Sequence, residues 1–163
     1  DKTDLNAVVA ANAGIKSEQW GDINNAVIHY ERCYEFRKEH KDPIIYSFRR
    51  LCRMYKAANM PEKAAKVYTE VIEMAKAEAP DKRTIQETDL RDAIWGLMDS
   101  DPSLALEYYR TVYLDGKYGD AIIWENRNYV IYPKLMKLAK TNADRMVLCK
   151  EWVSMIRKYA APR

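Results

Sequence analysis

The chain has 163 residues, of which 48% are hydrophobic and 31% charged, and its formal net charge is +3. This balance is typical of one folded domain and excludes a disordered chain, while the mild charge lacks the basic cluster of a dedicated nucleic-acid binder. Three cysteines form no disulfide framework, and no apolar run approaches the length of a transmembrane helix, so we expect a soluble domain.

Turn-forming residues are scarce, with only five Gly and six Pro, which favours long helices over an all-β fold. Asp42 and Asp101 each precede a proline, a pair that predicts a capping carboxylate followed by proline at the first helical position. Pro61 is predicted to open a helix in the same way. The predicted helices span residues 3–19, 22–38, 43–58, 61–78, 84–99, 102–115, 129–141 and 143–158, and the stretch 116–128 has no assigned structure.

A repeated pattern of aromatic and small residues organises the first half of the chain. The segment from Phe48 to Tyr68 follows the order W-x2-L-G-x2-Y and then A-x3-F, carried by Phe48, Leu51, Cys52, Tyr55, Ala64 and Tyr68. Upstream, Gly14 and Ser17 precede Ala26 and Tyr30 at the same internal spacing. On these residues and on the turn Trp20-Gly21-Asp22, the chain resembles the tetratricopeptide repeat (TPR) family, most closely over residues 5–78.

The pattern continues downstream with larger residues at its small positions. The second-helix anchors Ala26, Ala64, Ala105 and Leu148 are separated by 38, 41 and 43 residues, against about 34 in the family. The surplus falls in the links between units. We therefore divide the chain into units of about 5–38, 43–78, 84–115 and 129–158, within a single domain of residues 1–163.

The resemblance implies an all-α fold in which antiparallel helix pairs stack as a right-handed superhelical α-solenoid of about eight helices. Small residues such as Gly14 and Cys52 are expected where helices approach closely. Cys33 and Cys52 are predicted to be buried neighbours that are not bonded to each other. The alternative, a redox pair or metal site, would need supporting ligands that the sequence does not offer.

The family's groove positions, carried over position by position, predict a partner-binding surface. It comprises Tyr46, Arg49, Arg53, Lys56, Arg91, Trp95, Lys137 and Lys140. Three of its cations, Arg49, Arg53 and Lys56, share one helical stripe, and a basic groove with aromatics suits an acidic peptide. The alternative is that these Arg and Lys side chains only keep the groove surface soluble and bind no partner. The family's chaperone-tail clamp is not reproduced, because Ala11 and Ile15 stand where that clamp has Lys and Asn.

The predicted function is therefore a scaffold or adaptor that binds a protein or acidic peptide, with no catalytic residue, metal or cofactor. No phosphate-binding, zinc or nucleophile motif occurs in the sequence. The alternative is an assembly module that self-associates or belongs to a longer repeat array. A one-base-per-repeat nucleic-acid code would require regular repeats, and the unequal separations of 38, 41 and 43 residues argue against it. The stretch from Asn12 to Ala26 resembles short repeat proteins of the bacterial cell envelope. The missing initiator Met fits either removal of a leader or an excised piece of a longer chain, so the compartment stays open, with the bacterial periplasm or cell envelope favoured.

Overall fold

The computed structural model describes residues 2–40, 45–78, 85–114 and 128–160. Within these ranges the chain is helical and contains no strand, which confirms the predicted all-α class. The helices are α1 (Lys2–Gln19), α2 (Ile23–Glu39), α3 (Ile45–Ala57), α4 (Pro61–Ala77), α5 (Glu87–Leu97), α6 (Pro102–Tyr108), α7 (Asn128–Leu138) and α8 (Asn142–Ala160). A π-helical segment, Tyr109–Leu114, continues α6.

Local chemistry sets most helix ends where the sequence predicts them. The Leu104 amide donates to the Asp101 carboxylate at 2.9 Å, and Pro102 opens α6, so the predicted cap is confirmed. Pro61 likewise opens α4. The corresponding prediction at Asp42 lies outside the described residues. Helix α5 begins later than predicted because the Gln86 amide donates to the Asp89 carboxylate at 3.3 Å, which fixes the first turn there.

The predicted helix over 102–115 changes its geometry halfway. Regular α-helix ends at Tyr108, and the wider π turns follow. Tyr108, Tyr109 and Val112 are all buried along this segment. With the buried Ala105 they stand at i, i+3, i+4 and i+7, the spacing of one regular helical stripe. Hydrophobic spacing therefore does not reveal the π turns.

The first two helix pairs share one turn geometry. Gly21 and Asn59, which are 38 residues apart, both adopt a positive φ, of 75° and 57°. In the first turn the Asp22 amide donates to the Ser17 carbonyl at 2.9 Å, and in the second the Met60 amide donates to the Tyr55 carbonyl at 2.7 Å. These bonds close the same C-terminal helix motif twice. The backbone thus repeats with the period that the anchors predict.

The third turn is built differently. There the Asp101 amide donates to the Leu97 carbonyl at 2.8 Å, and no residue of the turn has a positive φ. This agrees with the sequence, in which the third turn is one residue shorter than the first two.

Each helix packs on the next along the chain, and the second-helix anchors lie in the core. Ala26, Ala64 and Ala105 are at most 1% exposed, and Leu148 is also buried. Alanine at these points lets neighbouring helices approach closely, so the predicted anchor register is confirmed through the third pair. The fourth pair is filled instead by rings, since Tyr132 packs edge-on against Tyr109 and parallel to Trp152.

The cysteine predictions are confirmed in part. Cys33 and Cys52 are both buried and unbonded. However, Cys33 packs with Ala7 and Ala10 in a small cluster, whereas Cys52 belongs to the main core. The two thiols therefore belong to separate clusters rather than to one shared seam. Burial raises the pKa of Cys52 to about 12, as expected of an inert packing residue.

Candidate functional site

Alternate helices lie side by side, joined by ion pairs. Glu18 of α1 pairs with Arg53 of α3, and Arg49 of α3 pairs with Asp89 of α5. Asp99, in the turn after α5, pairs with Lys134 of α7. We call the surface formed by α1, α3, α5 and α7, including the turn after α5, the first-helix face. Of the predicted groove residues, Arg49, Arg53, Lys56 and Trp95 make contacts on this face.

The other helices form a second row with its own polar links. Glu70 of α4 accepts hydrogen bonds from Tyr34 at 3.2 Å and from Lys38 at 3.0 Å, both of α2. Arg110 of the π-helical segment donates to Glu151 of α8 at 2.5 Å. Polar contacts thus link first helices to first helices and second helices to second helices.

At the junction of α1 and α3, the carboxylate of Glu18 collects three donors. Tyr30 donates its hydroxyl hydrogen at 2.8 Å, Arg50 lies 3.4 Å away, and Arg53 is also within hydrogen-bonding distance. Arg50 and Arg53 of α3 thereby share one carboxylate of α1. Gly14 makes this geometry possible, because a Cβ there would come within 2.7 Å of the Tyr30 ring.

At the junction of α3 and α5, Arg49 is held by two acids. Its guanidinium lies 2.5 Å from Asp89 and 3.1 Å from Asp92. Only 1% of the Asp89 side chain is exposed, and this burial raises its pKa, although Arg49 opposes the shift. Arg49 is therefore the charge partner of a buried carboxylate as well as a residue of the first-helix face.

At the junction of α5 and α7, two lysines converge on one carboxylate. Lys134 lies 2.6 Å from Asp99 Oδ1, and Lys56 lies 3.1 Å from Asp99 Oδ2. Burial alone would raise the pKa of Asp99, but its hydrogen bonds with the two lysines and their charges outweigh that effect and lower it. Lys134 also stands over the Trp95 ring, 4.4 Å from its centroid. We call Lys56 and Lys134 the two-lysine site.

The remaining predicted groove residues lie in different surroundings. Arg91 is buried, 3.7 Å from Glu87, so it supports α5 rather than presenting a charge. Lys137 is exposed on α7. Lys140 lies beyond α7 and lines a separate cavity of about 500 Å³ between α6, α7 and α8. Tyr46 lies in α3, and its side chain is outside the described residues.

Sequence reasoning overlooked Lys134 and its pairing with Asp99. A usable signal was present, because Lys134 precedes the predicted Lys137 by three positions and so shares its helical stripe. The pairing of Lys134 with Asp99 is a different matter. It depends on how α7 sits against α5, which no spacing in the sequence specifies.

Within the described ranges, no three His, Cys, Asp or Glu side chains are placed to hold a metal ion. None of the helices in that part of the chain is long and apolar enough to cross a membrane. No protein-family model, no curated protein and no solved structure matches the chain.

Proposed function

We propose that the chain is a protein–protein interaction scaffold, built as a right-handed superhelical stack of TPR-like helix pairs. It holds a partner protein or an acidic peptide on the first-helix face. The observation that carries this proposal is the succession of three ion-paired junctions along α1, α3, α5 and α7. Charged groups repeat along one surface with the spacing of the helix pairs, which suits an extended partner chain.

The charges of this face favour an acidic partner at one end. Arg49 contacts two acids, and Arg53 shares Glu18 with Arg50, so Arg49 in particular offers less net charge than its presence implies. Near α7, two lysines share the single carboxylate of Asp99, and Lys137 adds an exposed cation. Charge complementarity at this end therefore selects acidic segments. The scaffold binds and catalyses no reaction under this proposal.

The scaffold function is tested by charge reversal on two surfaces. The folded chain is immobilised and exposed to an extract of its native cells, with Lys137→Glu and Lys66→Glu as variants. Lys137 is on the first-helix face, whereas Lys66 is exposed on α4, and both changes alter net charge equally. We expect Lys137→Glu to lose a specific partner that Lys66→Glu retains. Equal retention by both variants would reject the first-helix face.

An assembly role is the second candidate, and exposed apolar side chains favour it. Leu5 and Val9 of α1 are 62% and 59% exposed, and Ile28 of α2 is 57% exposed. Leu5 and Val9 lie one helical turn apart, so α1 presents adjacent apolar side chains that suit a protein contact. Light scattering distinguishes this role directly, because a stable self-associating module would exceed the monomer mass of 19.1 kDa.

A further inference from the structure

Four carboxylates, Glu18, Asp89, Asp92 and Asp99, receive cations on the first-helix face, and Asp99 is the most accessible of them. Its side chain is 53% exposed, compared with 33% for Asp92, 24% for Glu18 and 1% for Asp89. Glu18 is additionally held by the Tyr30 hydroxyl, and Asp89 by the amide of Gln86. Exposed ion pairs contribute little to stability, so Asp99 is the carboxylate that is most easily exchanged for another.

Aromatic rings hold both lysines of the two-lysine site independently of Asp99. The Lys134 ammonium lies 4.4 Å from the centroid of Trp95, and the Lys56 ammonium lies 5.6 Å from that of Tyr68. Tyr68 is itself fixed in the core by an edge-on contact with Phe48. Cation–π attraction at such distances favours the same ammonium positions whether or not Asp99 is in place.

The charged groups of the two-lysine site, taken with Asp99, have a net positive charge. Two ammonium groups face the one carboxylate of Asp99, and Lys137 is exposed one turn further along α7 from Lys134. An entering carboxylate thus meets two positioned donors, while the outgoing Asp99 side chain turns from a half-exposed position into water. Little desolvation accompanies that exchange, since neither carboxylate has to be deeply buried.

We propose that the two-lysine site binds a glutamate or aspartate side chain of an acidic peptide, and that Asp99 is a resident carboxylate which the partner's carboxylate displaces. This inference rests on the proposed use of the first-helix face for binding. It specifies one subsite on that face, the chemistry that the subsite recognises, and an internal competitor that lowers affinity for weakly acidic chains.

The test uses N-acetyl-tetraglutamate amide, with tetraglutamine as its uncharged counterpart. Binding is followed by the NMR signal of the Trp95 indole, which lies against Lys134. Removing the competitor by Asp99→Asn is expected to tighten binding roughly threefold or more, whereas Lys134→Gln is expected to weaken it by a similar factor. Two controls change net charge equally at exposed positions of α4, namely Glu62→Gln and Lys66→Gln.

The tightening by Asp99→Asn distinguishes displacement from general electrostatics. If Asp99→Asn binds no more tightly than Glu62→Gln, or if tetraglutamine binds as well as tetraglutamate, the displacement site is overturned. Asp99→Ser serves as the second variant if Asp99→Asn does not fold, and it carries the same expectation. A negative result here leaves the scaffold function standing, because the Lys137→Glu comparison decides that separately.

Discussion

The ring of Tyr68, in α4, lies directly against the backbone of Gly96, in α5. A Cβ on residue 96 would overlap three atoms of that ring, Cζ, Cε1 and Cε2. Tyr68 cannot move aside easily, because it is buried and packs edge-on against Phe48, with ring centroids 6.5 Å apart. The contact joins the second and third helix pairs, so Gly96 sets how closely they approach.

Gly96→Ala should therefore destabilise the protein. Overpacking a well-filled core costs about 1–3 kcal/mol, which exceeds the gain of about 1 kcal/mol that alanine brings to a helix. The free energy of unfolding, measured by urea denaturation, should fall. If Gly96→Ala is as stable as the wild type, the close approach of α4 and α5 is not as described.

Backbone conformation and packing can be separated at the first two turns. Nothing lies within 4 Å of a Cβ placed on Gly21, yet its φ is 75°. Gly21→Ala should lower the free energy of unfolding by about 1–2 kcal/mol, because the left-handed backbone conformation is strained for alanine. Asn59→Ala should lose stability for the same reason, whereas Asn59→Gly should be tolerated. Thermal unfolding of the three variants measures these differences, and an unaffected Gly21→Ala would contradict the turn geometry.

Thiol reactivity should differ sharply among the three cysteines. Cys149 is exposed, whereas Cys33 and Cys52 are buried, and burial raises the pKa of Cys52 to about 12. An aromatic disulfide reagent should label Cys149 quickly in the native protein and the other two only after unfolding. Cys149→Ser should abolish the fast phase. A fast phase that persists in this variant would show that a core cysteine is accessible.

Acid should weaken the contribution of Asp99 to stability. Because its folded pKa is lowered from 3.8, its stabilising effect is complete well above 3.8 and is lost as the pH falls through the folded value. The stability difference between the wild type and Asp99→Asn should thus be largest near neutral pH and shrink in acid. Urea denaturation at a series of pH values measures it. A difference that grows in acid would contradict the ion pairs.

Much of the fold follows from local sequence. The anchors Ala26, Ala64 and Ala105 are recognisable because a small residue at a fixed offset from an aromatic is needed wherever two helices meet closely. The cap at Asp101 is equally local, because a carboxylate and a following proline determine that turn by themselves.

The candidate site was less predictable, because its partners come from different helix pairs. Arg49 and Lys56 could be placed on one face of α3 by spacing alone. Their acids, Asp89 and Asp99, are 40 and 43 residues away, and which acid meets which cation depends on the relative rotation of α3 and α5. Arg91 was expected on the surface because it occupies a groove position of the family, but the packing of α5 buries it.

Photo-crosslinking tests the central claim, partner binding on the first-helix face, most directly. A photoreactive amino acid is placed at Lys137 on α7 or at Lys66 on α4, both exposed, in cells that produce the protein. We predict one discrete crosslinked partner from position 137, competed by an acidic peptide, and none from position 66. Crosslinking to the same partner with equal yield from both positions, or only from position 66, would contradict the account.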